Sequence, residues 1–345
     1  MLTIILHHDP GPRAGPLERS LIDVRLQLAE RHRTGFEAAG AEARIVTGSG
    51  SFAAAVRDTV ASDHPDGAVV LGSGSLPLAR PADRLRFVAA AGSNQLVALA
   101  NNRYSADAVA VPCASSLLAM PDLPGDNALP RWLEERAGYR VDDLRARWRL
   151  QVDLDSPLDV VLLGWEGDGL PLDAVREKLA TVRAATTDPS AELLVAGRTS
   201  AATLRWLERS TAGRVRALIE ERGLRAASHD ALGRGRVAPS RPPASVLGAL
   251  LERDGPESLG DHLVRLADAA FIDTRVLLAH RLSADERAWP APEDRFASDL
   301  LLADRIADPW LAALTKSAAA APIPVLLGGH SLVGPGLRLA LRPGR

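Results

Sequence analysis

Short apolar runs alternate with helical segments through the first hundred residues, and this alternation constrains the fold more than any other feature of the sequence. The runs have the length and the Val, Ile and Leu content of strands, and the segments between them carry apolar residues at helical spacing. Such an order predicts an α/β fold with a mainly parallel sheet that has helices on both faces. The predicted strands are Leu2–Leu6, Ala43–Val46, Gly67–Leu71 and Gln95–Ala100, and the predicted helices are Leu17–Ala39, Phe52–Ala61 and Pro81–Ala90.

The second half of the chain has the same character with less regular spacing. A glycine-rich patch at Gly164–Gly169 reads as a linker, and a chain of 345 residues is long enough for two domains. We therefore predict one α/β domain over residues 1–165 and a second, smaller α/β domain over residues 170–345. Before the linker we predict a short helix at Val141–Arg147 and a strand at Arg149–Leu154. The strands predicted in the second half are Glu192–Ala196, Val215–Glu220, Ala269–Ile272 and Val325–Leu327.

Composition excludes several classes of protein. No apolar run approaches the ~20 residues that a membrane-spanning helix needs, and the first residues lack the basic segment of a secretory signal. Cys113 is the one cysteine, which rules out a disulfide framework or a multi-thiolate metal site. The formal net charge is -2, which gives no general attraction for nucleic acid. We expect a cytoplasmic protein without a membrane or nucleic-acid partner, and the sequence leaves a homodimer open.

Lysine is almost absent, and this restricts how an anionic ligand can be bound. Lys178 and Lys316 are the only lysines among 41 basic residues, and no Gly-Lys-Ser or Gly-Lys-Thr step occurs. A phosphate-binding P-loop is therefore excluded. A phosphate or carboxylate ligand would have to be held by arginine, by backbone N–H groups or through a metal ion.

The stretch Asp153-Leu154-Asp155-Ser156-Pro157-Leu158-Asp159 contains the most informative group of acidic residues. Asp153 and Asp155 would share one face of the predicted strand, and Ser156-Pro157 has the sequence of a helix N-cap followed by its first residue. Paired carboxylates of this kind can hold Mg²⁺ or Mn²⁺. The alternative is a capped helix start with solvated acidic side chains.

This stretch resembles the conserved acidic segment of molybdenum-cofactor guanylyl- and cytidylyltransferases and of phospholactate guanylyltransferases. Two further segments are similar to that family in the same order, namely residues 68–78, AVVLGSGSLPL, and residues 106–112, ADAVAVP. The resemblance covers about residues 1–165 and implies a nucleotide-diphospho-sugar-transferase fold. The chain departs from the family at the central element, where Gly74 or Ser75 replaces a metal-binding aspartate. In the N-terminal loop, Arg13 is the one basic residue.

The resemblance implies a protein that binds a nucleotide or nucleotide sugar with Mg²⁺ or Mn²⁺ and transfers a nucleotidyl group to a small acceptor. It places the metal and the catalytic carboxylates at Asp153 and Asp155. The alternative is a non-catalytic ligand-binding or scaffold protein that has lost transferase activity. The residues expected to contact the nucleotide follow three predicted strands and are His8, Asp9, Arg13, Ser73, Ser75, Asn101, Asn102 and Arg103.

A third hypothesis places the active site in the second domain. Polar residues follow each of three predicted strands there, and a cluster of acidic and basic residues lies between two of them. If they converge on one cleft, His330 beside Asp273 could act as a base or a metal ligand in a hydrolase or a phosphate-handling enzyme. The alternative is a set of separate surface ion pairs. The candidates are Arg198, Asp273, Arg275, Glu293, Arg295 and His330.

Overall fold

Six strands of the first half form one mixed sheet in the computed structural model, which describes residues 1–48, 50–123, 126–221 and 243–342. The strand order is β2-β1-β3-β5-β4-β6, and every neighbouring pair is parallel except those made by β5. The strands are β1 (Leu2–His8), β2 (Glu42–Gly48), β3 (Ala68–Gly72), β4 (Val97–Ala100), β5 (Ala108–Val111) and β6 (Arg140–Asp143). The first sheet is thus mixed, where the sequence predicted a mainly parallel one.

The side chain of Asn101 explains why β5 runs back against β4. Asn101 follows β4 directly and is fully buried. Its Oδ1 accepts hydrogen bonds from the N–H groups of Asp107 and Ala108 at 2.9 and 3.1 Å, which closes the connection between the two strands. The short loop that results permits an antiparallel pair, whereas a parallel pair needs a crossover connection.

The strands at the centre of this sheet are buried on both faces. Along β1, Ile4 packs with Val70 and the helices on one face, and Ile5 packs with Leu71 and Phe36 on the other. This alternation follows from the period of two along a strand, and it produces two apolar layers around one sheet. The helices associated with these strands are α1 (Pro16–Glu37), α2 (Phe52–Asp63), α3 (Pro81–Ala91) and α4 (Leu129–Glu135).

The second half forms a four-stranded sheet whose neighbours are all parallel. Its order is β10-β9-β7-β8, so all four strands end at the same edge. The strands are β7 (Glu192–Gly197), β8 (Arg214–Ile219), β9 (Ala269–Asp273) and β10 (Val325–Gly328). The helices are α5 (Pro157–Leu163), α6 (Asp173–Ala185), α7 (Ala201–Ser210), α8 (Val246–Asp254), α9 (Leu259–Val264), α10 (Thr274–Arg281), α11 (Pro292–Asp299), α12 (Pro309–Ala320), α13 (His330–Val333) and α14 (Leu337–Ala340).

The chain divides into two compact units, and the chain passes from the first to the second between Leu154 and Asp155. Within the described residues, the first unit contains residues 1–13 and 22–154, and the second contains residues 14–21, 155–221 and 243–342. The second unit holds more of the described residues than the first, although its sheet has fewer strands. The predicted linker Gly164–Gly169 lies within the second unit, after α5.

Two local predictions before this division are wrong. Arg140–Asp143 is the strand β6, where a helix at Val141–Arg147 was predicted, because its backbone pairs with β4. The predicted strand Arg149–Leu154 is instead a 3₁₀ turn at Trp148–Gln151 followed by irregular chain. The side-chain amide of Asn101 bonds the carbonyl of Leu150 at 2.9 Å, so a side chain takes the place of a neighbouring strand.

Among the described residues, we find no helix with the length and apolar character needed to cross a membrane.

Candidate functional site

Polar residues at the ends of three strands meet at one edge of the second sheet. Asp273 is the last residue of β9, Arg198 directly follows β7, and His330 lies two residues beyond β10. The carboxyl ends of neighbouring parallel strands share an edge, and ligand sites of α/β proteins lie there. We use the name strand-end cluster for Arg198, Asp273, Arg275, Asp299 and His330.

Asp273 is the centre of this cluster. Its carboxylate accepts two hydrogen bonds from the guanidinium of Arg198, at 2.6 Å from Nε and 3.1 Å from Nη2. It also caps α10 by accepting from the N–H of Arg275 at 3.1 Å. Burial alone would raise the pKa of Asp273, but the charges of Arg198 and Arg275 outweigh it and lower that pKa. Asp273 is therefore ionised at neutral pH and holds Arg198 in a fixed orientation.

Arg275 forms a second bidentate pair, with Asp299 at the end of α11. Its Nη2 donates to Asp299 at 2.6 Å, and its Nη1 donates to the other carboxylate oxygen and to Thr274. Burial acts to lower the pKa of Arg275, and the opposite charge of Asp299 overcomes this effect and raises it. Both side chains are buried, so the pair is a fixed internal contact.

The ring of His330 is held by the backbone of Arg198. Its Nδ1 lies 2.9 Å from the Arg198 carbonyl oxygen, and because a carbonyl can only accept, Nδ1 carries the proton. The lone pair of the neutral ring is then on Nε2. The surrounding protein desolvates the ring and, together with Arg198, lowers the pKa of His330. At neutral pH the imidazole is therefore unprotonated, and the residue as a whole is exposed to solvent.

The first turn of α5 lies close to the cluster. Ser156 is the N-cap and Pro157 the first residue, as the sequence predicted. Asp159 closes a capping box, because its Oδ2 accepts from the N–H groups of Ser156 and Asp155 at 2.8 and 3.0 Å. Burial, and then the charge of exposed Asp155, raise the pKa of Asp159 to about 7. Asp155 and Asp159 interact electrostatically with His330 and Arg275, respectively.

Glu293 and Arg295 do not join the strand-end cluster through hydrogen bonds. Glu293 accepts from the N–H groups of Leu17 and Glu18 at 3.2 and 3.1 Å, and thus caps the N-terminus of α1. The guanidinium of Arg295 donates to Glu286 at 3.3 Å and lies 5.7 Å from the centre of the Trp289 ring. Their functional assignment from sequence therefore has no geometric support beyond the charge of Arg295 near Arg275.

In the first unit, the predicted nucleotide-binding loops emerge at one edge of the sheet, because β1, β3 and β4 are parallel. His8 and Arg13 are exposed, and Asp9 accepts from the N–H of Gly11 at 2.8 Å. The buried side chain of Ser73 is 3.1 Å from Nδ1 of His7.

The carbonyl of Ser75 lies 2.7 Å from Nε2 of His32, which therefore donates to it. Burial lowers the pKa of His32 to about 4, so this histidine is a neutral structural donor that fixes the loop after β3.

The polar residues after β4 have partners within the protein. The side-chain amide of Asn101 donates hydrogen bonds to Asp107 and to the Leu150 carbonyl, and its oxygen accepts two from backbone N–H groups. Both ends of this amide therefore have hydrogen-bond partners within the protein. Asn102 accepts from the N–H of Tyr104 at 3.0 Å, and Arg103 forms an ion pair with Glu134. For Asn101, this bonding makes a structural role, and not recognition of a base or ribose, the simpler assignment.

The two carboxylates predicted to hold a metal ion lie on neither a strand nor a helix. Asp153 is half-buried and belongs to the first unit, and Asp155 is exposed and belongs to the second. Within the described parts of the chain, no three His, Cys, Asp or Glu side chains are grouped so that they could hold a metal ion. The binding of Mg²⁺ or Mn²⁺ stays a prediction.

Sequence reasoning did not select Asp159, Asp299 or Gly329. Asp159 carries a sequence signal, since an acidic residue three positions after a serine N-cap completes a capping box. Asp299 has none, because its partner Arg275 lies 24 residues away. The role of Gly329 depends on which side chains surround it.

No protein-family model matches the chain, and comparison with curated proteins finds no significant match. The resemblance to nucleotidyltransferases therefore stays a prediction. Function is therefore inferred from the arrangement of the side chains.

Proposed function

We propose that the second unit contains an active site in which His330 accepts a proton from water or from a small-molecule substrate, as in a hydrolase or a phosphate-handling enzyme. The observation that carries the proposal is the 2.9 Å contact between His330 Nδ1 and the Arg198 carbonyl. It assigns the proton to Nδ1 and leaves Nε2 as the base. A neutral, exposed and oriented imidazole is what general-base catalysis requires.

The neighbours of His330 support proton transfer in two ways. Desolvation and then the charge of Arg198 lower the pKa of His330, so the ring is unprotonated before the reaction at neutral pH. Asp155 and Asp273 oppose this effect and favour the charged ring once the proton has been taken up. Asp273 also fixes Arg198 by two hydrogen bonds, and in that respect it is a positioning residue.

The test is a turnover assay with phosphomonoester, phosphodiester and carboxylic ester substrates, each with and without Mg²⁺. We expect His330→Asn to lower the turnover rate by about 10²–10⁴-fold, the usual contribution of a general base. His64→Asn is the matched control, because His64 is exposed in the first unit and its left-handed backbone suits asparagine. Equal rates in His330→Asn and the wild-type protein, or no turnover of any substrate class, would refute the proposal.

A second candidate function is nucleotide binding by the first unit, with nucleotidyl transfer if Mg²⁺ or Mn²⁺ binds. It is favoured by the contact between His7 and Ser73, which brings the loops after β1 and β3 side by side at one sheet edge. Calorimetry with a panel of nucleotides and nucleotide sugars, with both metals, tests it. We expect Arg13→Ala to weaken binding if this edge holds the phosphates. Binding without transfer would favour the non-catalytic alternative, and no binding would reject the nucleotide proposal.

A further inference from the structure

Gly329 lies beside both arginines of the strand-end cluster. A Cβ atom at this position would be 3.6 Å from Nε of Arg275 and 3.8 Å from Nη2 of Arg198. These are ordinary van der Waals distances, so the absent side chain leaves an unfilled position next to two guanidinium groups. Gly329 is half-buried and precedes the exposed His330 directly. Solvent therefore reaches the immediate neighbourhood of this position.

Nη2 of Arg198 and Nε of Arg275 each have an N–H group that can donate a hydrogen bond to a ligand. Nη2 of Arg198 carries two hydrogens, and one of them bonds Asp273. Arg275 uses Nη1 and Nη2 to bond Thr274 and Asp299, and among the described residues no acceptor is bonded to its Nε. An oxygen atom placed next to Gly329 could accept a hydrogen bond from both arginines.

The two donors cannot easily turn elsewhere. Each guanidinium is held by two hydrogen bonds to a buried carboxylate, Arg198 by Asp273 and Arg275 by Asp299. Donors that are fixed in advance bind an oxyanion without a further cost in side-chain entropy. The two bidentate ion pairs thus fix the orientation of the remaining N–H groups of Arg198 and Arg275.

The charges of the cluster select the kind of anion. The two arginines are balanced by Asp273 and Asp299, the nearby charge of Arg295 is paired with Glu286, and Asp155 adds a further negative charge near His330. The site therefore supplies hydrogen bonds to an anion but no excess positive charge. A carboxylate, with one charge, is favoured here over a phosphate with two.

We propose that the position beside Gly329 binds a carboxylate group of the substrate, with one oxygen between Arg198 and Arg275. The role of this group in catalysis rests on the function proposed for His330, whereas its binding does not require turnover. Because Gly329 directly precedes His330, a carboxylate bound there would belong to a substrate that lies near His330. The natural substrate would thus be a small carboxylic acid or one of its derivatives.

The experiment uses acetate as the probe and the whole chain as the protein. Titration at constant ionic strength is followed by saturation-transfer NMR of acetate and by the imidazole signals of His330, which His330→Asn identifies. We expect saturable binding and a shift of the His330 signals. Gly329→Val fills the position, and we expect it to weaken acetate binding about tenfold or more, since one such loss corresponds to about one good hydrogen bond to a charged group.

Two further variants control for folding and for general effects. Gly329→Ala adds a methyl group at ordinary contact distances and keeps a negative φ of -108°, so it should fold and still weaken binding. Gly50→Val is the matched control, because no atom lies within 4 Å of a Cβ at that position, and its binding of acetate should equal that of the wild-type protein.

Three results would overturn the proposal: no acetate binding, equal binding by Gly329→Val and the wild-type protein, or tighter binding of phosphate than of acetate. His330→Asn separates this proposal from the proposed function. We expect this variant to retain acetate binding, because the hydrogen bonds to the carboxylate come from Arg198 and Arg275, whereas Nδ1 of His330 donates to the Arg198 carbonyl. Acetate binding without any turnover would refute the proposed function alone, and turnover that Gly329→Val leaves unchanged would refute the carboxylate site alone.

Discussion

The buried carboxyl group of Asp159 should make the stability of the second unit fall as the pH rises toward neutrality. Burial and the charge of Asp155 raise the pKa of Asp159 from 3.8 to about 7 in the folded protein. Between these two values, the folded state binds more protons than the unfolded state, so the free energy of unfolding decreases with pH. One pKa unit corresponds to about 1.4 kcal/mol, and ionisation of Asp159 therefore destabilises the folded state by about 4 kcal/mol.

The measurement compares Asp159→Asn with the wild-type protein in urea between pH 4.5 and pH 8. Asparagine can still accept the hydrogen bonds of the capping box through its amide oxygen, but it carries no charge. Hydrogen exchange in β7, β9 and β10 reports the stability of the second unit by itself. We expect the variant to gain stability relative to the wild-type protein as the pH rises, by about 3 kcal/mol between pH 4.5 and pH 8, since part of the effect lies below pH 4.5.

Two further variants test the cause of this pH dependence. Asp155→Asn removes the negative charge that is the second cause of the raised pKa of Asp159, so the loss of stability should be smaller and should end at a lower pH. Asp304→Asn, an exposed position in the same unit, is the control and should follow the wild-type protein. A stability difference between Asp159→Asn and wild type that does not change with pH, or that grows on acidification, would refute the argument.

Three other substitutions test the remaining contacts. Arg275→Met should lower the free energy of unfolding by about 3–5 kcal/mol, because it leaves the charge of Asp299 buried and unpaired. Adding Asp299→Leu should recover part of that loss, as measured by urea denaturation. An equal or larger loss in the double variant would contradict this explanation. Glu293→Gln removes a negative charge from the N-terminus of α1, so it should lower stability by about 1 kcal/mol and speed hydrogen exchange in the first turn of that helix. Unchanged exchange there would contradict this prediction. Asn101→Ala should lower the free energy of unfolding by about 3 kcal/mol, because it leaves buried backbone groups unpaired. Asn102→Ala, in an exposed turn, should lower it by under about 1 kcal/mol. Equal losses in the two variants would contradict the structural role of Asn101.

Some of this architecture could be predicted from local patterns. The strands around Ile4, Val70 and Phe271 are short apolar runs bounded by polar or glycine-rich segments, and the structure has strands at each. The start of α5 could be predicted as well, because Ser156 and Pro157 are preferred at the N-cap and first helical positions for local reasons.

Other features depend on pairings between distant residues, and local patterns do not carry them. The antiparallel direction of β5 follows from the hydrogen bonds of buried Asn101, a residue that the sequence suggested as a nucleotide contact. The run 149–154 has the residues of a strand, but it pairs with no strand in the described part of the chain. Glu293 similarly caps a helix that begins more than 270 positions earlier in the chain.

The sequence alone determined an α/β protein in which polar residues follow the strands, because apolar spacing and helix-capping preferences act over only a few residues. It placed Arg198, Asp273 and His330 after three strands of the second half and suggested that they converge. The tertiary structure decided which of them touch, since that depends on strand order and on contacts between residues far apart in the chain. It paired Arg198 with Asp273, oriented His330 through a backbone carbonyl, and left the position beside Gly329 open to a ligand.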